Sequence, residues 1–121
     1  MQKYFFMDVN ILDAKNSLLN KFISEIRDVT IQKDSMRFRR NIERIGEILA
    51  YELSQDLDYE SKIVTTPLGT KIVQVPKNDI VLCSILRAGL PLHTGLLNYF
   101  DDAENGFISA YRKHINETEF E

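Results

Sequence analysis

Apolar residues near the start of the chain recur at three- and four-residue spacing. Leu18, Leu19, Phe22, Ile23 and Ile26 fall on one stripe of a helix predicted over residues 14–28, with Asp13 at its N-cap. A second, longer helix is predicted after Asp34 and Ser35, with Phe38, Ile42, Ile45, Leu49 and Leu53 on its apolar stripe. Its other face carries Arg37, Arg39, Arg40, Glu43, Arg44 and Glu47. There Arg40 can pair with Glu43 and Arg44 with Glu47, while Glu43 and Glu47 repel mildly. This charged face reads either as a solvated surface or as an anchor for a partner subunit or ligand.

The period then changes. Residues 62–66 and 71–75 are short β-prone runs joined by Pro67-Leu68-Gly69-Thr70, which is turn chemistry and predicts a hairpin. Residues 80–85 form a continuous apolar run of strand length, the pattern of a strand buried on both faces of a parallel sheet. A helix over residues 89–100 follows, then a polar loop at residues 101–105 and a second core strand over residues 106–111. Those last three elements make a βαβ unit, so the two strands should run parallel with a right-handed crossover. The predicted class is therefore α/β. A two-stranded parallel sheet cannot cover its own edges, so this core looks unfinished.

At 121 residues the chain is the size of one domain, and no Pro/Gly/Ser-rich linker divides it. Its apolar runs are interrupted by Arg87, His93 or Asn98 well short of the roughly 20 residues that span a membrane. The first eight residues reach Asp8 too soon for a secretory signal, which points to a cytoplasmic protein. A net charge of −3 argues against bulk attraction to nucleic acid or an anionic membrane, so any bound anion must be held locally. Cys83 is the only cysteine, which excludes an intrachain disulfide, and its place inside the apolar strand predicts a buried packing residue. His93 and His114 are too few and too far apart to suggest a zinc site. His93 is expected on a helix surface or interface, and His114 in a loop. Phe38, Tyr99, Phe100, Phe107 and Tyr111 are core candidates.

The candidate chemistry lies where the first core strand meets its helix. Ser84-Ile85-Leu86-Arg87-Ala88-Gly89-Leu90-Pro91-Leu92 puts an arginine and a glycine on that turn, and Arg112 follows the second strand in the same way. Ligands of open α/β sheets collect at the carboxyl ends of strands. Two guanidinium groups and the backbone N–H groups around Ala88 and Gly89 could converge there on one anion, and a pyrophosphate suits such a site. The residues alone equally allow two solvated loop arginines.

Ile85-Leu86-Arg87-Ala88-Gly89-Leu90 with Gly95, and then Tyr111-Arg112, resemble uracil phosphoribosyltransferases. Upstream, the resemblance extends through Arg37-Phe38-Arg39, Tyr51-Glu52 and the hairpin at residues 62–75. It implies a type I phosphoribosyltransferase fold, of which this chain would carry the N-terminal helices, a β-hairpin belonging to the hood, and the first βαβ unit. It also implies transfer of ribose 5-phosphate from phosphoribosyl pyrophosphate to uracil, giving UMP and pyrophosphate, with magnesium accompanying the pyrophosphate. By position, Arg87, Ala88 and Gly89 would form the pyrophosphate loop and Arg112 would reach the same group. A homo-oligomer, most simply a dimer, goes with the resemblance, and no nucleic-acid or membrane partner does.

The family's acidic-Pro-Met-Leu-Ala-Thr-Gly ribose-phosphate loop and its Gly-Asp-rich uracil segment are absent between Met1 and Glu121. Residues 1–121 are therefore expected to form a single incomplete domain, the N-terminal half, with no catalytic residue of its own and no activity alone. Lys113 and His114 stand where relatives often have an acidic or amide residue. The competing expectation is a non-catalytic α/β module that binds a phosphoribosyl ligand or dimerises.

Overall fold

A computed structural model describes residues 7–112. Three α-helices, an antiparallel hairpin and a parallel βαβ pair follow one another in the order α1 (Leu18–Arg27), α2 (Ser35–Ser54), β1 (Tyr59–Thr66), β2 (Gly69–Pro76), β3 (Val81–Leu86), α3 (Leu90–Tyr99) and β4 (Glu104–Ser109). Short 3-10 turns at Leu12–Ala14 and Ile31–Lys33 precede α1 and α2. No described helix is long and apolar enough to cross a membrane.

The caps explain where the helices begin. Helix α2 starts as expected, because the Asp34 carboxylate accepts the Arg37 N–H at 3.1 Å. Helix α1 starts four residues later than its apolar spacing predicted. Its cap is Ser17 rather than Asp13, with Ser17 Oγ accepting the Leu19 N–H at 3.2 Å. Asp28, just past α1, accepts the N–H groups of Thr30 and Ile31 at 2.8 and 3.1 Å and so folds the chain back toward α2. Those two hydrogen bonds hold its carboxyl below its ordinary value.

Helix α2 contacts both other helices, but its most buried positions are not the large apolar ones. Asn41 is completely buried, and Gly46 and Ala50 are buried with it, whereas Phe38 and Leu53 are exposed. Small residues are needed where α2 meets α3. A Cβ on Gly46 would lie 2.6 Å from the Leu92 carbonyl oxygen, and one on Gly95 would overlap the Glu43 carbonyl and stand 3.0 Å from the Gly46 Cα. Neither neighbour is a flexible side chain, so the two backbones can approach this closely only as a pair of glycines. Asn98 of α3 adds two polar ties by donating from Nδ2 to Glu43 and Glu47, each at 3.0 Å. The repulsion expected between those two carboxylates is thereby bridged. Arg40 pairs with Glu43 as expected, at 3.1 Å. Arg44 does not take Glu47; it donates to Asn41 Oδ1 at 2.9 Å and lies over the Phe22 ring.

Asn41 also joins α1 to α2. Its amide donates to Glu25 at 2.8 Å, and Arg37 donates to the same carboxylate oxygen at 3.3 Å. The Asn41 hydrogen bond, followed by that of Arg37, holds the Glu25 carboxyl below its usual 4.5.

The hairpin pairs in register from Tyr59 opposite Pro76 to Thr66 opposite Gly69, so only Pro67 and Leu68 lie between the paired residues. The predicted four-residue connection is shorter because Gly69 and Thr70 already pair with Thr66 and Thr65. At the base of the hairpin, Lys77 N–H donates to the Asp58 carbonyl at 2.9 Å, and the Tyr59 hydroxyl donates to the Ser54 carbonyl at 2.7 Å.

Strands β3 and β4 are parallel, with Val81 opposite Glu104 and Leu86 opposite Ser109. The polar loop expected at residues 101–105 is cut short, since Glu104 and Asn105 already pair with Val81 and Leu82, and Tyr111 lies beyond the strand. The expected burial on both faces is corrected too. In β3 burial alternates: Leu82 and Ser84 are covered on the α3 side, while Val81, Cys83 and Ile85 are exposed on the other. Cys83 is therefore an exposed thiol and not a core residue. Phe38, Tyr99, Phe107 and Tyr111 are likewise exposed and Phe100 is half-buried, so the aromatic core expected from the sequence does not form.

Two outcomes follow for stability. Gly95→Ala should lower the unfolding free energy by about 1–3 kcal/mol, the range for an overpacked contact that must push backbone aside. Gly106→Ala, whose new Cβ would meet nothing nearer than Cys83 Sγ at 3.8 Å, should change it by no more than about 0.5 kcal/mol. Urea unfolding of the two variants checks the contrast. Because the folded-state pKa of Glu25 is depressed, its contribution is fully present above about 4.5 and is lost as the pH falls through the lower folded value. Urea midpoints between pH 7 and pH 3 should therefore fall less steeply in Glu25→Gln than in the parent chain. Asp28, depressed in the same direction, should keep part of the slope.

Candidate anion-binding site

Strand β3 ends at Leu86 and α3 begins at Leu90, so residues 87–89 form a tight turn at the carboxyl end of the sheet. The Leu86–Arg87 peptide bond is cis. Gly89 caps α3: its N–H donates to the Ile85 carbonyl at 3.0 Å, and its own carbonyl accepts the His93 N–H at 2.9 Å. Leu90 N–H closes onto the Arg87 carbonyl at 3.1 Å. The Gly89 amide is thus used inside the turn, and the Ala88 amide makes no backbone bond of this kind.

What Gly89 supplies is space. A Cβ there would stand 2.6 Å from Ser84 Oγ and 2.8 Å from the Ile85 carbonyl oxygen. The turn is folded down onto the end of β3 as closely as backbone allows. Beneath it, Ser84 is 6% exposed and its hydroxyl has no hydrogen-bond partner. Sequence reasoning named Ser84 only as part of the strand. Its one signal was a polar residue on the strand's inward face, which cannot be told from the outward face without the register.

Arg87 is exposed, one residue past the strand end, and Arg112 is exposed three residues past the end of β4. The register pairs Leu86 with Ser109, so both arginines leave the sheet at the same edge. Lys113 and His114 lie outside the described residues.

His93 holds the helix behind the turn. It is 7% exposed rather than on the helix surface, because its Nε2 donates to Asn105 Oδ1 at 2.7 Å and its ring packs 5.0 Å from that of Phe107. Both partners belong to β4, so the side chain fastens α3 to the second strand. A cleft of about 370 Å³ beside the start of α3 is lined by Met36, Arg39, Arg40, Glu43, Leu90, Pro91 and Thr94, which brings the basic face of α2 near the turn. A larger cleft of about 750 Å³ lies between residues 8–17 and the end of α2. It shares no lining residue with the turn.

Among the described residues no group of three His, Cys, Asp or Glu side chains is placed to hold a metal ion. The groups exposed at this end of the sheet are the Arg87 and Arg112 side chains and the Ala88 amide, donors that suit an oxyanion and not a cation.

Comparison with known proteins places the chain in a family. A family model described as uracil phosphoribosyltransferase matches residues 14–120. A uracil phosphoribosyltransferase of Porphyromonas gingivalis is 56% identical over 115 residues, which are 95% of this chain and 53% of that protein. One of Sulfolobus acidocaldarius is 41% identical over 99 residues, 79% of this chain and 45% of its own length. A solved structure of an Aquifex aeolicus protein superposes with a TM-score of 0.69 at 29% identity, over 86% of this chain and 49% of that one. The chain thus spans about half the length of the curated relatives it matches.

Gly89→Ala should lift the turn from the end of β3, since neither backbone nor a buried hydroxyl can yield cheaply. The expected loss of stability is about 1–3 kcal/mol. A Gly89→Ala, Ser84→Ala double variant should recover part of it by removing the nearer contact, and thermal unfolding of the single and double variants measures this coupling.

Proposed function

The chain belongs to the uracil phosphoribosyltransferase family, and from that premise we propose that it supplies the pyrophosphate grip of such an enzyme. In this reading residues 1–121 are a single incomplete domain, the N-terminal half of a type I phosphoribosyltransferase fold. The parent reaction joins uracil to phosphoribosyl pyrophosphate and releases UMP and pyrophosphate. Arg87, Ala88, Gly89 and Arg112 hold the pyrophosphate, and no catalytic residue lies in this half. A dimeric, cytoplasmic parent enzyme belongs to the same proposal.

The observation that carries it is the turn itself. Gly89 lies against Ser84 and Ile85 at the carboxyl end of a parallel strand, with the neighbouring strand delivering Arg112 to the same edge. The chemistry suits such a turn. As the bond from the ribose to the pyrophosphate breaks, negative charge grows on the leaving group, and donors already aimed at it stabilise the transition state more than the ground state. A guanidinium presents two parallel N–H groups to phosphate oxygens and stays charged throughout. An open Ala88 N–H beside it adds a neutral donor. Catalysis further requires that ribose and uracil be fixed relative to this grip, and the family's segments for both are missing from residues 1–121.

Magnesium is implied by the family, but the described residues offer it no ligand set. It would enter as a companion of phosphoribosyl pyrophosphate, and nothing in this chain's role is routed through it.

Calorimetric titration of pyrophosphate into the 121-residue chain tests the grip. Arg87→Ala should weaken binding by about 1.5–3 kcal/mol, at least tenfold, as expected for a lost charge-assisted pair. Equal affinity in the variant would sink the assignment. Labelled uracil incubated with phosphoribosyl pyrophosphate and the chain alone should yield no UMP, and appreciable UMP would overturn the claim that this half is inactive.

A further inference from the structure

The layer between α3 and the sheet holds two buried polar side chains, Ser84 and His93. Ser84 belongs to the seat of the turn at residues 87–89, whereas His93 has no part in the grip proposed above. Its side chain nevertheless ends on a bond of fixed direction. Asn105 Nδ2 donates to the Ala103 carbonyl at 3.3 Å, which leaves Oδ1 as the acceptor for His93 Nε2 at 2.7 Å. The imidazole therefore carries a proton on Nε2. Burying a polar ring costs free energy that a leucine would not, so a helix that needed only packing at this position has no use for a histidine.

The path of the chain gives the bond its leverage. His93 N–H donates to the Gly89 carbonyl at 2.9 Å, and Gly89 N–H donates to the Ile85 carbonyl at 3.0 Å, so one helical turn separates His93 from the seat of the anion-binding turn. Helix α3 lies over β3. Among the described residues its side-chain hydrogen bonds to other elements are those of Asn98 to α2 and of His93 to β4. The half-buried Leu92 and Leu96 resist separation of the helix from its neighbours, but apolar contact has no preferred direction and tolerates tilt. Asn98 and the contact between Gly46 and Gly95 fix the later part of α3 against α2. At its amino end the directional tie is His93. Three connections then close a triangle around the turn: the chain from β3 through residues 87–89 into α3, the His93 bond from α3 to β4, and the ladder from β4 back to β3.

We propose that His93 is a positioning residue for the anion-binding turn. Its bond to Asn105 keeps Gly89 seated on Ser84 and Ile85, and so holds Arg87 and the Ala88 amide where they meet the anion. This rests on the reading of the turn as a pyrophosphate grip, and His93 itself touches no ligand.

Amide hydrogen exchange of the ligand-free 121-residue chain and pyrophosphate calorimetry, run on the same variants, test the proposal. His93→Leu keeps the bulk and removes the donor. Asn105→Ala removes the acceptor at an exposed position, and so supplies the test if His93→Leu does not fold. In both, Gly89 N–H should exchange about tenfold faster while the amides of α1 keep their parent rates, and pyrophosphate should bind about fivefold more weakly, as expected for one lost hydrogen bond. The double variant should be no worse than either single one, and His93→Gln, which restores a donor, should bind within about twofold of the parent. Arg87→Ala is the control for the grip and should lose affinity with Gly89 exchange unchanged. Parent-level Gly89 exchange in His93→Leu and Asn105→Ala overturns the inference, whatever pyrophosphate does. So does unchanged affinity in those variants where Arg87→Ala weakens binding, which would leave the bond a merely structural one, and so does a His93→Gln variant as weak as His93→Leu. Equal affinity in the parent chain and Arg87→Ala sinks the grip instead, and the exchange rates alone then decide whether His93 seats the turn.

Discussion

The architecture depends on how closely α2 and α3 approach. At Gly46 and Gly95 the two helix backbones meet with no side chain between them, and the surrounding carbonyl groups leave no room for one. That contact sets the height of α3 above the rest of the molecule. The lower face of α3 rests on β3, and its His93 reaches Asn105 of β4, so the same helix holds the strands in their relative position. The turn that caps α3 is then pressed onto the strand end at Ser84. The glycine pair is thus joined by one helix to the turn at residues 87–89, about one and a half helical turns away.

The elements were legible in the sequence because each announces itself locally. Apolar spacing located two helices, a proline and glycine located the hairpin turn, and the strand, turn and third helix around Arg87 are written in consecutive residues. Burial was less legible because it depends on which faces meet. Cys83 sits in an apolar run that resembles a strand buried on both sides, yet only one side has a cover within the described residues. His93 is expected from the sequence on a helix surface or interface, because nothing in the helix sequence reveals a partner twelve residues onward in another strand. The cap at Ser17 was missed because Asp13 has the same chemistry, and only the path of residues 12–17 chooses between them.

The site divides in the same way. Arg87, Ala88, Gly89 and Arg112 could be named from pattern and resemblance, and the parallel register explains why two arginines distant in sequence leave one edge. Ser84 could not be named, because its importance is a distance. The glycine that made the motif recognisable is required by neighbours inside the strand, so the fold by itself constrains this residue.

Asn41 illustrates a different kind of control. Apolar stripes on α1 and α2 would tolerate sliding by a helical turn with modest loss, since one aliphatic contact resembles the next. A fully buried amide does not tolerate it. Arg44 of the same helix occupies its acceptor side, and its donor side is matched to Glu25 of α1, so another alignment strands the buried amide N–H without that partner. The hydrophobic surfaces decide that the helices associate, and Asn41 makes their alignment a choice among discrete positions with one permitted value.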